Sequence, residues 1–212
     1  MTGRERLQEY LNIERVKSIY TRAEKAFREK TLIGHGWDHV FRDVINAVVI
    51  GEQEKANMDI VMPAVILHDI GFLYDPDPSR HPQVGAERCA EWLGDWPAEE
   101  REQIARCIRV HKGKMREFTL EPETLEEQVI CDADMLEKAG WLGVLQGVRV
   151  FSEFAAGGKS EFYDLYNVAT ILAKVKSVTF YTATGRALAA ERGGFLRAEA
   201  SEKALRELEF YR

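Results

Sequence analysis

The amino-acid sequence predicts an all-α protein that folds as a single domain over residues 1–212. Apolar side chains recur every three or four residues through most of the chain, which is the period of an amphipathic helix. Strand patterns are scarce, and short runs containing Gly, Pro or Asp separate the helical segments. With 45% apolar and 30% charged residues, a chain of 212 residues is long enough to bury one sizeable core.

Two or three helices are predicted before residue 56. Residues 4–30 are expected to form one or two amphipathic helices, whose apolar side includes Leu7 and Val16. Residues 31–37 contain two glycines and are expected to form a loop. Asp38 is expected to cap the next helix, which extends to about residue 55.

A buried central helix is predicted at about residues 59–70. Its residues 61–67 are almost all apolar, and Pro63 is expected in its first turn. The apolar run leads directly into His68 and Asp69. Burying an imidazole and a carboxylate at this point costs free energy unless they are paired, hydrogen-bonded or bound to a metal. The pair therefore predicts partners elsewhere in the chain.

The second half of the chain continues the helical pattern. Loops are expected at residues 74–80 and 113–124, where Pro, Gly and polar residues accumulate. Trp92 and Trp141 occupy apolar helical positions and are predicted to be buried. Helices are predicted at residues 82–93, 99–111, 125–140, 141–154 and 161–184, followed by a last helical stretch broken at residues 193–194.

Charge and composition exclude some classes of partner. Twenty-nine basic and 35 acidic residues give a net charge of −6, which disfavours a nucleic-acid-binding protein. It does not disfavour a phosphate substrate, because a metal site supplies local positive charge. The three cysteines are unclustered and predicted to be buried. The chain starts without an apolar signal segment and has no run long enough to cross a membrane, so we expect a cytoplasmic protein.

Histidines and aspartates are placed where predicted helices begin and end. All five histidines lie in the first 111 residues. His35 and His39 flank a helix start, His81 opens a helix, and His111 closes one. Near residue 132, the run CDADML sets two aspartates between apolar neighbours, which is costly without a ligand.

The order His39, His68–Asp69, Asp134 resembles the H…HD…D signature of the HD-domain metal-dependent phosphohydrolase superfamily. The segments HGWDHVFRDV, AVILHDIGF and DADMLEKAG are similar to the family's ligand-bearing segments, over about residues 33–140. The resemblance implies a helical bundle of the HD type in which these four residues bind metal. Asp134 matches the family pattern Ala-Asp-x-Leu and is therefore the implied ligand. Asp132 would then contact a ligand from behind or cap a helix.

The implied activity is hydrolysis of a phosphomonoester or phosphoanhydride bond by metal-activated water. A nucleotide or another small phosphorylated metabolite would be the substrate. Two imidazoles and two carboxylates suit Mn²⁺, Fe²⁺, Co²⁺, Ni²⁺ or Zn²⁺ better than Ca²⁺, and Mg²⁺ stays possible. Such a site binds one or two ions.

The remaining polar residues have alternative roles. His81 and His111 resemble the extra histidines of dinuclear HD proteins, where they bind a second metal together with Asp69. Alternatively, they contact phosphate beside a single metal. His35 is expected to donate to phosphate, to orient His39, or to be solvated.

The basic residues Lys114 and Lys138 are expected either to bind substrate phosphate or to be solvated. The nucleoside-monophosphatase branch of the superfamily carries a Glu where this chain has Phe72, which weakens the transfer of that branch's substrate preference. Asp75 and Asp77, nearby, would supply a base or form a turn.

Two other functions compete with hydrolysis. Some dinuclear iron relatives activate O₂ and cleave C–C or C–P bonds, and an HD pocket also suits a non-catalytic module that senses a nucleotide. The sequence leaves the substrate, the native metal, the general base and the oligomeric state open.

Overall fold

The computed structural model describes residues 2–75, 77–113, 120–175 and 178–211. These residues form α-helices and short 3₁₀ segments without any strand, which confirms the all-α prediction. The 3₁₀ segments are Ile70–Leu73, Ser160–Tyr163 and Glu209–Tyr211. In chain order, the α-helices are α1 (Gly3–Tyr10), α2 (Glu14–Arg28), α3 (Trp37–Glu54), α4 (Met58–Leu67), α5 (His81–Arg88), α6 (Ala90–Leu93), α7 (Ala98–Val110), α8 (Leu125–Leu136), α9 (Gly140–Ala156), α10 (Leu165–Ala173), α11 (Ala183–Glu191) and α12 (Leu196–Leu208).

Helix α4 lies at the centre of the core. Every residue from position 60 to position 67 is buried, and the helix packs against α2, α3, α7 and α8. A helix that is apolar on all sides requires neighbours on all sides. This surrounding layer brings the ends of α3, α7 and α8 close to the residues that follow α4.

The central helix ends earlier than predicted. It stops at Leu67, so His68 and Asp69 lie in a turn that continues into the 3₁₀ segment Ile70–Leu73. The prediction that Pro63 occupies the first turn is wrong, because the helix begins at Met58 and Pro63 lies in its interior.

The prediction that Asp38 caps α3 is also wrong. Gly36 is the N-cap residue, and Asp38 lies in the first helical turn. The Asp38 carboxylate instead pairs with Arg42, with an N–O distance of 3.0 Å, and with Arg149 of α9. It therefore ties α3 to α9.

The long helix predicted at residues 161–184 is interrupted. Helix α10 ends at Ala173, and α11 begins only at Ala183. The Asp132 carboxylate accepts hydrogen bonds from the backbone N–H groups of Tyr181 and Thr182, both at 2.8 Å. The Thr182 hydroxyl then caps α11 by accepting from the Gly185 N–H. These side-chain hydrogen bonds stand where a continuous helix would have backbone hydrogen bonds. The sequence pattern does not reveal them.

Burial of the tryptophans and cysteines was only partly predicted. Trp92 is buried, with 6% of its surface exposed, as predicted. The prediction for Trp141 is wrong, because 70% of its surface is exposed. All three cysteines are buried, as predicted. Across the described parts of the chain, none of the helices combines the length and the apolar character that crossing a membrane requires.

Gly71 sets the approach of α5 to the turn after α4. A Cβ atom at this position would overlap the backbone carbonyl of His81, so only glycine fits here. We expect Gly71→Ala to lower the free energy of unfolding by about 2 to 3 kcal/mol, because two backbone segments must separate. Urea denaturation measures this change.

The matched control is Gly157→Ala in the loop after α9, where a Cβ would meet its nearest neighbour at 3.4 Å, an ordinary contact. It should change the stability by less than about 0.5 kcal/mol. Equal losses in the two variants would contradict the packing argument.

Candidate metal centre

Three histidines are held in the same way. Each is fixed through its ring Nδ1, which lies 2.6–2.7 Å from the backbone carbonyl oxygen of the residue three positions earlier. A carbonyl oxygen only accepts, so Nδ1 carries the hydrogen and the neutral ring keeps a lone pair on Nε2. The three pairs are His68 with Val65, His81 with Pro78, and His111 with Ile108.

His39 is fixed by side chains instead. It lies in the first turn of α3, and its Nδ1 is 3.4 Å from an oxygen of Glu137. Arg42, one turn along α3, donates to the same oxygen at 2.8 Å and also reaches Gln146 of α9. The Glu137 carboxylate therefore orients His39 and leaves its Nε2 facing the carboxylates of Asp43, Asp69 and Asp134.

Asp69 lies between two pairs of histidines. Its Oδ2 is 3.2 Å from His39 Nε2 and 3.6 Å from His68 Nε2. Its Oδ1 is 3.2 Å from His81 Nε2 and 3.4 Å from His111 Nε2. The two oxygens of one carboxylate thus face two separate groups of nitrogen donors.

Two more aspartates border the His39 side. Asp134 Oδ1 lies 3.7 Å from His39 Nε2, and its Oδ2 accepts from Lys112 at 3.2 Å and from Lys138 at 3.1 Å. Asp43, one turn after His39 on α3, places Oδ2 at 3.3 Å from His39 Nε2. Its distance to His68 Nε2 is 3.4 Å.

Several of these atoms are buried without a well-formed hydrogen bond. They are the Nε2 atoms of His39 and His68 and both carboxylate oxygens of Asp43 and Asp69. Unpaired buried polar atoms are costly, and here nitrogens and oxygens with free lone pairs point at one another. Nitrogen and carboxylate donors in this arrangement fit a divalent transition metal. Within the described residues, two donor groups are close enough to hold an ion, one formed by His39, Asp43, His68 and Asp134 and the other by His68, Asp69 and His111.

Burial keeps two of the imidazoles neutral. It lowers the pKa of His81 to about 3 and that of His111 to about 4. Burial also opposes charge on His39, but the facing carboxylates of Asp43 and Asp69 outweigh it and raise its pKa. A metal ion must therefore displace a proton from His39, whereas His81 and His111 are already neutral.

A cavity of about 890 Å³ opens beside the centre. Its polar lining includes His39, His81, Asp134 and the two lysines on Asp134. Its apolar lining includes the rings of Phe151, Phe154 and Phe162, and the Phe151 and Phe162 rings stack with their centroids 4.9 Å apart. The volume and the mixed lining suit a small metabolite.

His35 borders this cavity but does not join the donor groups. Its Nδ1 lies 2.5 Å from a carboxylate oxygen of Glu153 on α9. Its ring stacks on Phe72 at 4.3 Å, and Phe72 stacks in turn on His81 at 4.2 Å. The position that carries a Glu in one branch of the superfamily is therefore used here for ring packing between two histidines.

The other predicted site residues lie elsewhere. Asp132 supports the start of α11 and has no contact with the donor groups. Asp75 pairs with Arg80, and Asp77 caps the turn at Ser79, so both serve the loop. Lys114 lies outside the described residues.

Three residues at the site escaped the sequence reasoning, namely Asp43, Glu137 and Glu153. For two of them a signal was present. Asp43 is an acid four residues after His39 in an otherwise apolar stripe, and Glu137 follows Asp134 by three residues. Both spacings place side chains on the face of their helix that carries the predicted ligand. Glu153 is brought in only by tertiary packing.

Comparison with known proteins agrees with this geometry. A family model described as HD domain matches residues 36–139. Over 167 residues the chain is 29% identical to an uncharacterized protein of Bacillus subtilis, YpgQ, with 77% of this chain and 80% of that protein covered.

Two solved structures show the same fold. A predicted HD superfamily hydrolase from an uncultured Thermotogales bacterium superimposes with a TM-score of 0.60 at 24% identity, covering 92% of each chain. Bacillus subtilis YpgQ in complex with ADP superimposes with a TM-score of 0.56 at 23% identity, covering 94% of this chain and 96% of YpgQ. The chain therefore carries an HD-domain match over residues 36–139 and shares its fold with both structures.

Proposed function

We propose that the protein hydrolyses a phosphomonoester or phosphoanhydride bond in a small phosphorylated metabolite, with a nucleotide as the preferred substrate. The observation that carries this proposal is the convergence of unpaired imidazole and carboxylate atoms at the wall of a cavity that also presents two lysines. The HD-domain match supports the reaction class.

The chain offers donors for two metal ions. His39, His68, Asp69 and Asp134 would hold the first, and Asp69, His81 and His111 the second, with Asp69 shared. A divalent metal in these positions lowers the pKa of water and acts as a Lewis acid toward a phosphoryl oxygen. The donor types favour Mn²⁺, Fe²⁺, Co²⁺, Ni²⁺ or Zn²⁺, and Mg²⁺ is a weaker candidate.

Lys112 and Lys138 are suited to hold the phosphate. Both ammonium groups lie against Asp134 Oδ2 and both line the cavity. A phosphate placed beside them accepts charge-assisted hydrogen bonds, which also stabilise the negative charge that shifts onto oxygen as the bond breaks.

The phenylalanines that line the cavity are suited to the organic part of the substrate. The ring of Phe162 lies 4.9 Å from that of Phe151 and 5.7 Å from that of Phe154, so the three form one apolar surface. A flat base can stack on such a surface. The ADP complex of Bacillus subtilis YpgQ supports a nucleotide for this chain as well.

A phosphate-release screen tests the proposal. Purified protein is assayed with nucleoside mono-, di- and triphosphates and with sugar phosphates, in Mn²⁺, Co²⁺, Ni²⁺ or Mg²⁺. We expect release of phosphate or pyrophosphate that stops with a chelator. Oxygen consumption with iron and no phosphate release would favour the dinuclear iron alternative, and tight nucleotide binding without turnover would favour a sensing module.

Asp69→Ala should abolish both metal retention and hydrolysis. Asp69 is the only described residue whose carboxylate faces all four inward-pointing imidazoles, so its removal separates both donor groups. Elemental analysis and the phosphate assay measure the two effects. Asp95→Ala, an exposed acid remote from the centre, is the control. Full metal content and full activity in Asp69→Ala would show that the assignment is wrong.

Lys138→Met should weaken substrate binding. Loss of a charge-assisted hydrogen bond is worth about 1.5 to 3 kcal/mol, so KM should rise by about 10-fold or more. Steady-state kinetics on the best substrate of the screen measures this. Lys203→Met, which removes an exposed lysine on α12, should leave KM unchanged. An unchanged KM in Lys138→Met would remove this residue from phosphate binding.

A further inference from the structure

Asp43 is a buried acid whose carboxylate lacks a well-formed hydrogen bond. It lies on α3 within a stripe of buried apolar residues that includes Val40, Val44 and Ala47. The side chain is fully buried, and neither carboxylate oxygen has a well-formed hydrogen bond. An apolar residue would fit this stripe at lower cost, so the acid requires a compensating ligand.

The contacts of Asp43 identify the class of that ligand. Its Oδ2 lies 3.3 Å from His39 Nε2 and 3.4 Å from His68 Nε2. The same two nitrogens lie 3.2 and 3.6 Å from Asp69 Oδ2. Donor atoms held at about 2.1 Å from one metal ion are separated by about 3.0 to 3.4 Å in octahedral or tetrahedral geometry. The two Asp43 distances and the His39–Asp69 distance fall within this range, and the His68–Asp69 distance exceeds it by 0.2 Å. Asp43 therefore has the spacing of a ligand that shares one ion with His39 and His68.

We propose that Asp43 is a protein ligand of the metal ion held by His39 and His68. This inference rests on the metal-dependent function proposed above. It adds a third carboxylate to the first metal position, beside those of Asp69 and Asp134.

The added ligand makes the two metal positions unequal. Five residues surround the first position, namely His39, Asp43, His68, Asp69 and Asp134. Three surround the second, namely Asp69, His81 and His111. A position filled by protein ligands holds its ion tightly, whereas one with free positions exchanges its ion and admits water or substrate. The second position, where His81 lines the cavity, would accordingly keep free positions for water or a phosphoryl oxygen.

A metal titration tests the assignment without any turnover. Chelator-treated wild type, Asp43→Asn and Asp43→Val are titrated with Mn²⁺ by calorimetry, and Asp95→Asn serves as the control. Wild type and control should show one tight and one weaker site. Both Asp43 variants should weaken the tight site by at least about 10-fold, the smallest loss typical when even a residue behind a ligand is changed. The weaker site should persist.

Thermal melting with and without Mn²⁺ checks the same assignment. The rise in melting temperature that Mn²⁺ causes should be smaller in Asp43→Val and Asp43→Asn than in wild type, each compared with its own metal-free form. An equal rise in wild type and in both variants would overturn the proposal.

The outcomes also separate this inference from the proposed function. Unchanged tight binding in both Asp43 variants overturns the inference and leaves the metal-dependent hydrolase intact. Absence of any Mn²⁺ binding by wild type overturns both.

Discussion

The centre depends on the cost of burying the Asp69 carboxylate. Both of its oxygens are buried without a well-formed hydrogen bond, and four imidazole nitrogens lie within 3.6 Å of them. A buried charge is stable only when it is closely compensated, which a metal ion held by these nitrogens would do. The nitrogens come from the start of α3, the end of α4, the start of α5 and the end of α7, so one carboxylate dictates how four helix ends meet.

The two halves of the cavity come from different parts of the chain. All the donor residues lie between positions 39 and 134, within the segment that matches the HD domain. The phenylalanine surface comes from α9 and the 3₁₀ segment Ser160–Tyr163, outside that segment. The family match therefore covers the donor residues, whereas the apolar surface proposed to stack on the substrate lies outside the matched segment.

The sequence predicted what depends on local pattern and missed what depends on tertiary contact. Apolar spacing was enough to predict the all-α class and helices α2, α3 and α7. The order of His39, His68, Asp69 and Asp134 was enough to predict the HD domain that the family model matches. The break before α11 was missed because it depends on the Asp132 side chain, 50 residues away from Thr182. Trp141 was misjudged because apolar periodicity does not say whether a neighbour covers the outer face of α9. Glu153 reaches His35 across 118 residues of chain, a pairing that no spacing rule predicts.

The most direct test of the account is the metal content of protein purified without chelators, measured by elemental analysis. The arrangement of two donor groups around one shared carboxylate predicts about two transition-metal ions per chain. A chain that carries no metal, and that takes up none when Mn²⁺ is added, would contradict the account.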